Sequence, residues 1–303
     1  MAHIILPGGT GFMGKALSTY FVRAGHKVFV LTRSPKRPEN GIEFIGWDGK
    51  TIGDWSKYLE GASAVINLAG KSVNCRYTEA NVKEIFDSRV ESTRVLGEAI
   101  AACQRPPEVW INSSTATIYR HSEDRAMTER DGDLGTGMSV NVARAWEDSF
   151  FEAMVPGVRK VALRTAIVFS EKDGALPRLM NLVKAGMGGA QGTGKQMMSW
   201  IHMEDVVKAV AFLMAHKELE GAFNLAAPDP QPNAEMMSVL RQAMGVPLAL
   251  PVPAWLLEVG AAMIGTETEL LLKSRWVLPQ RLLEAGFEFE FPTLPQALKN
   301  LGE

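Results

Sequence analysis

The most specific chemical pattern in this chain of 303 residues is the run Gly8-Gly9-Thr10-Gly11-Phe12-Met13-Gly14. It follows the apolar stretch Ile4-Ile5-Leu6 and opens a helical pattern over Met13–Arg23. Glycines at this G-x-x-G-x-x-G spacing let the backbone turn sharply, let a pyrophosphate approach it, and let the helix pack closely on the strand. The helix start adds unpaired N–H groups and the positive end of a dipole. Gly8, Gly9, Thr10, Gly11, Phe12, Met13 and Gly14 are therefore expected to bind a dinucleotide. A tight turn without a ligand is the plain alternative.

The kind of dinucleotide is decided at the end of the second strand, where an acidic side chain would hold a ribose 2′-hydroxyl. The residues there are Leu31-Thr32-Arg33-Ser34-Pro35-Lys36-Arg37, with no acid before Glu39. Arg33 can grip a 2′-phosphate with two charge-assisted hydrogen bonds, and Ser34 and Lys36 can add to that grip. NADP(H) is expected in preference to NAD(H), with Thr32, Arg33 and Ser34 beside it. A solvated basic loop is the competing explanation.

These residues need a frame, and the chain supplies one by alternating short β-branched runs with longer helical patterns. Strands are expected at His3–Leu6, Lys27–Leu31, Glu43–Trp47, Ala64–Leu68, Val109–Ser113, Val161–Phe169 and Phe223–Leu225. Helices are expected at Glu79–Ala102, Val140–Ala153 and Asp205–Met214, with Asp205 as an N-cap. The fold class is α/β, a Rossmann-type doubly wound parallel sheet with a smaller, mostly helical C-terminal substrate region. The division expected is a dinucleotide-binding domain over 1–170, to which about 200–227 returns, and a substrate side over 171–303. Within the latter, 250–303 forms a C-terminal extension with helices at Trp255–Ile264, Glu267–Trp276 and Leu294–Leu301.

Composition narrows the function. With 32 basic against 34 acidic side chains, no nucleic-acid partner is expected. Two cysteines, Cys75 and Cys103, cannot make a disulfide framework, which fits a reducing, cytoplasmic setting. No stretch reaches the roughly 20 apolar residues of a membrane span, so no membrane partner is expected. The five histidines are too scattered for a metal site. A homodimer is compatible with the sequence and not dictated by it.

Several segments together resemble the extended short-chain dehydrogenase/reductases. They are Gly8–Gly14, Asn67-Leu68-Ala69-Gly70, Ser113-Ser114-Thr115-Ala116-Thr117-Ile118-Tyr119 and Trp200-Ile201-His202-Met203-Glu204-Asp205. Trp47-Asp48-Gly49, Asp87-Ser88-Arg89, Arg144-Ala145-Trp146-Glu147, Gly192–Trp200 and Val277-Leu278-Pro279-Gln280-Arg281 make the chain similar to the atypical "epimerase family protein" subgroup, also described as predicted nucleoside-diphosphate-sugar epimerases. The resemblance covers essentially the whole chain. It implies that Asp48, Asn67, Leu68, Ala69, Gly70 and Ser113 lie along the cofactor. Asn67 could equally cap local backbone. It implies that Thr115 hydrogen-bonds the reacting oxygen, a place an ordinary strand-end threonine could also fill. It puts Lys195, Trp200 and His202 on the substrate side; Met197, Met198 and Trp200 suggest an apolar pocket wall, with core packing the favoured plain reading.

One departure bears on chemistry. Relatives pair the Ser/Thr with a Tyr and a Lys at i and i+4 on the next helix, where the Lys lowers the phenol pKa for proton exchange. The tyrosines here, Tyr20, Tyr58, Tyr77 and Tyr119, are followed four residues on by Ala24, Ala62, Asn81 and Glu123. No Tyr-x-x-x-Lys exists. Alignment places Val140 and Arg144 at those positions, and arginine holds charge but is a poor acid–base group. The candidate catalytic residues are Thr115, Tyr119, Arg144 and Glu147, with Arg144 able to hold substrate or the cofactor ribose. The first expectation is an oxidoreductase that transfers a hydride to or from a small-molecule substrate with an unconventional proton donor. The alternative is a non-catalytic NADP(H)-binding sensor or scaffold, and nucleotide-sugar epimerisation stands third.

Overall fold

The computed structural model describes residues 3–264 and 267–302. The chain opens with β1 (His3–Pro7), α1 (Phe12–Arg23), β2 (Lys27–Thr32), β3 (Ile42–Gly46) and β4 (Ala64–Asn67). The long helix α2 (Glu79–Ala101), β5 (Val109–Thr115), α3 (Met138–Phe151) and β6 (Arg159–Thr165) continue the alternation. Then follow β7 (Ile167–Phe169), α4 (Leu176–Lys184), β8 (Met197–Met198), β9 (Trp200–His202), α5 (Met203–Ala215) and β10 (Gly221–Leu225). The C-terminal part holds β11 (Gln231–Pro232), α6 (Asn233–Ala243), α7 (Ala254–Ile264), α8 (Glu269–Leu272), α9 (Gln280–Glu284) and α10 (Leu294–Leu301).

Seven strands form one sheet in the order β10-β6-β5-β4-β1-β2-β3, every neighbouring pair parallel. Both faces of β1 are buried because both faces are covered. Ile4 and Leu6 pack with Leu17 and Phe21 of α1 and Val206, Val210 and Leu213 of α5. Ile5 points the other way, into a core with Val95, Leu96 and Ile100 of α2 and Phe150 of α3. This is the period-2 alternation of a strand between two helical layers, and the architecture is a doubly wound Rossmann-type sheet. A separate apolar cluster joins α4, α6 and α10 through Leu179, Val183, Met237, Leu240, Leu294 and Leu298. Among the described residues no helix is long and apolar enough to cross a membrane.

Three expectations are corrected. The run Val161–Phe169 is two strands, because the chain leaves the large sheet at Ala166, whose N–H donates to Leu225 O, and β7 then pairs with β9. The helix expected over Glu267–Trp276 is confined to one turn, Glu269–Leu272. Beyond it the backbone pairs on both sides, with Arg275 N donating to Met197 O and Met127 N donating to Trp276 O. Those bonds outweigh a local helical preference worth only tenths of a kcal/mol per residue. At the start of α5 the capping side chain is His202, whose Nδ1 accepts from Glu204 N, while Asp205 accepts from Glu290 N and Phe291 N.

Candidate functional site

The carboxyl ends of β2, β1, β4 and β5 lie side by side and bring four expected segments together: 32–34, 8–14, 67–70 and 113–115. The order reverses between β1 and β4, where a crevice opens in doubly wound sheets. Backbone hydrogen bonds lock the turn: Gly8 N donates to Leu31 O and Leu68 N to Pro7 O. Gly8 has φ +72°, and a Cβ there would lie 2.7 Å from Ala69 Cα. A Cβ on Gly14 would lie 2.4 Å from Gly9 Cα, which is the close helix–strand approach that requires glycine. Gly11 differs: a Cβ there would meet nothing nearer than Gly8 O at 4.0 Å, so its outer face is open. Gly11 precedes α1 without any side-chain cap, so no side chain there satisfies the first-turn N–H groups. Thr10 is exposed and Phe12 and Met13 half-buried at the same rim.

At the end of β2, Thr32 Oγ1 accepts from Ser34 N and shapes the bend. Arg33 is exposed, and its guanidinium has no hydrogen-bond or ion-pair partner among the described residues. Lys36 is tied to Glu39 and lies over the Phe44 ring. Asp48, past β3, accepts from Lys50 N, Thr51 N and Thr51 Oγ1, which pull its carboxyl down to about 2. Asn67 is fully buried; its amide donates to Asn112 Oδ1 and Thr93 Oγ1, and its oxygen accepts from Ala69 N. That geometry holds the 67–70 bend. Ser113 is half-buried, and Leu68, Ala69 and Gly70 line the same edge.

The expected catalytic residues separate into two groups. Thr115 ends β5 half-buried, with Oγ1 accepting from Thr117 N. Arg144 is exposed on α3 and has no side-chain partner among the described residues, whereas Val140 is buried. Tyr119 and Glu147 instead belong to a buried chain of polar groups. Glu147 takes two bonds from Arg164, Nε to Oε1 at 2.9 Å and Nη2 to Oε2 at 2.7 Å, and a third from Ser114 Oγ at 2.5 Å. Arg164 Nη1 donates to Tyr119 Oη, which donates onward to Asn224 Oδ1, both at 2.9 Å. Asn224 N donates to Glu129, whose carboxyl burial pushes up. Burial likewise raises the Tyr119 phenol.

On the expected substrate side, Lys195 is exposed. Trp200 is fully buried, stacks on Phe169 at 5.7 Å and donates Nε1–H to Asp229 O, so its ring is core. His202 is buried against Phe291, and burial lowers its imidazole pKa.

A second polar group lies beside Thr115, and sequence spacing gives no signal for it beyond two basic residues in the apolar run Leu270–Trp276. The segment from α8 onward bonds both the turn after β5 and the start of α3. Lys273 Nζ donates to Thr117 O at 2.9 Å, and Glu269 lies 4.0 Å from the ammonium. Ser139 Oγ, one residue before Val140, donates to Glu269 Oε2 at 2.5 Å. Tyr77 adjoins Ser139 and Glu269, and burial followed by the Glu269 charge raises its phenol. Arg275, deeply buried, donates to Thr117 Oγ1, Lys273 O and Glu269 O. Burial and the Arg275 charge bring Lys273 down to about 8, against the opposing pull of Glu269.

Comparison with known proteins adds the following. A model of the NAD dependent epimerase/dehydratase family matches residues 4–226, and a domain of unknown function, DUF1731, matches 252–301. The Bacillus subtilis "Epimerase family protein YfhF" is 30% identical over 300 residues, covering 99% of this chain and 97% of that protein. The Bos taurus "Epimerase family protein SDR39U1" is 31% identical over 306 residues, covering 99% of both. The crystal structure of human epimerase family protein SDR39U1 with NADPH superposes with a TM-score of 0.85 at 27% identity, covering 99% of each chain. A nucleoside-diphosphate sugar epimerase from Corynebacterium glutamicum gives a TM-score of 0.79 at 27% identity, covering 99% of this chain and 58% of that one.

Proposed function

The chain belongs to the NAD dependent epimerase/dehydratase family, and on that premise we propose that it is an NADP(H)-binding oxidoreductase of the extended short-chain dehydrogenase/reductase class, acting on a small-molecule substrate. The observation that carries this is the open face at Gly11 together with an exposed Arg33 that has no partner among the described residues. A pyrophosphate fits against the Gly11 face and the first-turn N–H groups of α1. A 2′-phosphate fits the Arg33 guanidinium, with Ser34 beside it. That a human relative is solved with NADPH supports the same choice. The nicotinamide, when bound, supplies or accepts a hydride.

Thr115 orients the reacting oxygen at the end of β5, and Arg144 is free to hold substrate or ribose from α3. The segment 171–303 closes the substrate side, with 1–170 and the returning strand β10 forming the cofactor side. Tyr119 and Glu147 act through position: the Glu147 oxygens accept from Arg164 and Ser114, and the Tyr119 hydroxyl accepts from Arg164 and donates to Asn224, so they brace β5 and β6 beneath Thr115. Absence of Tyr-x-x-x-Lys favours a second reading, a non-catalytic NADP(H) sensor or scaffold. Against it stands the polar cluster assembled next to Thr115.

Gly11→Val tests the cofactor site. Its branched side chain would fill the open face without touching the fold, so circular dichroism should be unchanged while the fluorescence enhancement of NADPH on titration disappears. Binding equal to the parent's would reduce the glycine run to a structural turn.

A further inference from the structure

We propose that Lys273 is the proton donor of this site, delivered by the C-terminal segment to the place left without a Tyr-x-x-x-Lys pair. The proposal rests on the NADP(H)-dependent reading above and names the group that reading lacks.

Three elements converge to hold it. From the turn after β5, Thr117 O accepts one N–H of Lys273 at 2.9 Å, and Thr117 N in turn donates to Thr115 Oγ1. The ammonium is thus one residue and two hydrogen bonds from the hydroxyl assigned to the reacting oxygen. From the start of α3, Ser139 directs its hydroxyl at Glu269, the carboxylate 4.0 Å from Lys273. Ser139 adjoins Val140, which the sequence alignment sets where relatives carry the phenol. From the loop after β4, Tyr77 reaches Ser139, and Tyr77 N donates to Glu267. A segment 130 residues away in sequence is in this way bonded to the start of α3.

The chemistry of a lysine suits the place. Its side chain is only 11% exposed, and one proton is committed to Thr117 O, with no other hydrogen bond to it among the described residues. Arg275, Glu269 and Tyr77 are the charged and titratable groups around it. Burial and Arg275 favour the neutral amine and Glu269 opposes them, which leaves Lys273 able to release a proton near neutrality. With NADPH bound as hydride source, a substrate carbonyl reduced at carbon would take the proton for its oxygen from Nζ, C=O becoming CH–OH and NADPH becoming NADP⁺, and the neutral amine would regain its proton from solvent. Arginine at position 144 cannot do this, since it does not release its proton.

The experiment observes Nζ directly. In protein carrying ¹³C,¹⁵N-lysine, the Lys273 side-chain signal is assigned by its loss in Lys273→Arg and followed through a pH titration. Its midpoint should lie near pH 8, and Glu269→Gln should lower it further. Addition of NADPH should shift the signal, whereas 2′,5′-ADP, which shares the phosphate end but has no nicotinamide, should leave it in place. If NADPH binds and the Lys273 signal neither moves nor titrates below the ordinary lysine range of about 10.4, the proposal is overturned while the cofactor reading stands. If NADPH does not bind at all, the cofactor reading fails and takes the proposal with it.

Discussion

Removing the carboxylate of Glu147 should cost stability before it costs chemistry. The Arg164–Glu147 pair is bidentate, and the two side chains are 12% and 8% exposed. Glu147→Ala leaves the Arg164 guanidinium buried with the Tyr119 hydroxyl and ring as its remaining partners, and leaves Ser114 Oγ without its acceptor. Breaking a buried pair from one side costs about 3–5 kcal/mol, because the remaining charge is desolvated without compensation. The loss of the Ser114 bond supplies about 1 kcal/mol of that total. Urea unfolding followed by tryptophan fluorescence measures it as a lowered midpoint at unchanged slope. The double change Glu147→Met with Arg164→Met should recover part of the loss, since it removes both buried charges and keeps volume. A Glu147→Ala protein as stable as its parent would contradict the bracing role. If that protein had also lost substrate turnover with NADPH bound, Glu147 would belong to the chemistry.

Two further outcomes follow from the same geometry. Gly14→Ala places a Cβ against the Gly9 backbone and should lower stability by about 1–3 kcal/mol, whereas Gly11→Ala should leave the melting temperature unchanged; equal melting temperatures for the two variants would refute the close-packing role of Gly14. Lys273 titrates near 8 when folded against 10.5 for an ordinary lysine, so between those values the unfolded chain binds more protons and stability rises with pH. Lys273→Met lacks that contribution, and the parent should gain on it as pH rises from 8 to 10.5; a difference in urea midpoints that is flat with pH would refute the lowered proton affinity.

The parts of this protein that were legible in the sequence are those encoded by short-range pattern. Ile4-Ile5-Leu6 followed by Gly8–Gly14 specifies a strand, turn and helix within a dozen residues, and the basic run after β2 sits at a fixed register to it. Arg164 carries no sequence signal, because its partner Glu147 is 17 residues away on a different element, with no spacing rule joining a helix face to a strand end. Lys273 and Ser139 were further out of reach, since only the tertiary path of the C-terminal segment brings them to Glu269 and Thr117. The same path explains the shortened α8: backbone partners from β8 and the loop at Met127 capture residues 275–278 in extended form. Trp200 shows the converse. Its motif position pointed to the substrate side, but a large ring stacked on Phe169 and fully buried is doing packing work that the motif does not distinguish.

The central claim, an NADP(H) site built from the Gly11 face and Arg33, is tested most directly by calorimetric titration of NADP⁺ and NAD⁺ into the parent and Arg33→Ala proteins. The parent should bind NADP⁺ more tightly, and Arg33→Ala should remove most of the difference. The lost charge-assisted contacts are worth about 1.5–3 kcal/mol, or roughly 10- to 150-fold in affinity. NAD⁺ binding should change little. Equal affinities of the parent for the two dinucleotides would contradict the assignment of Arg33 to a 2′-phosphate.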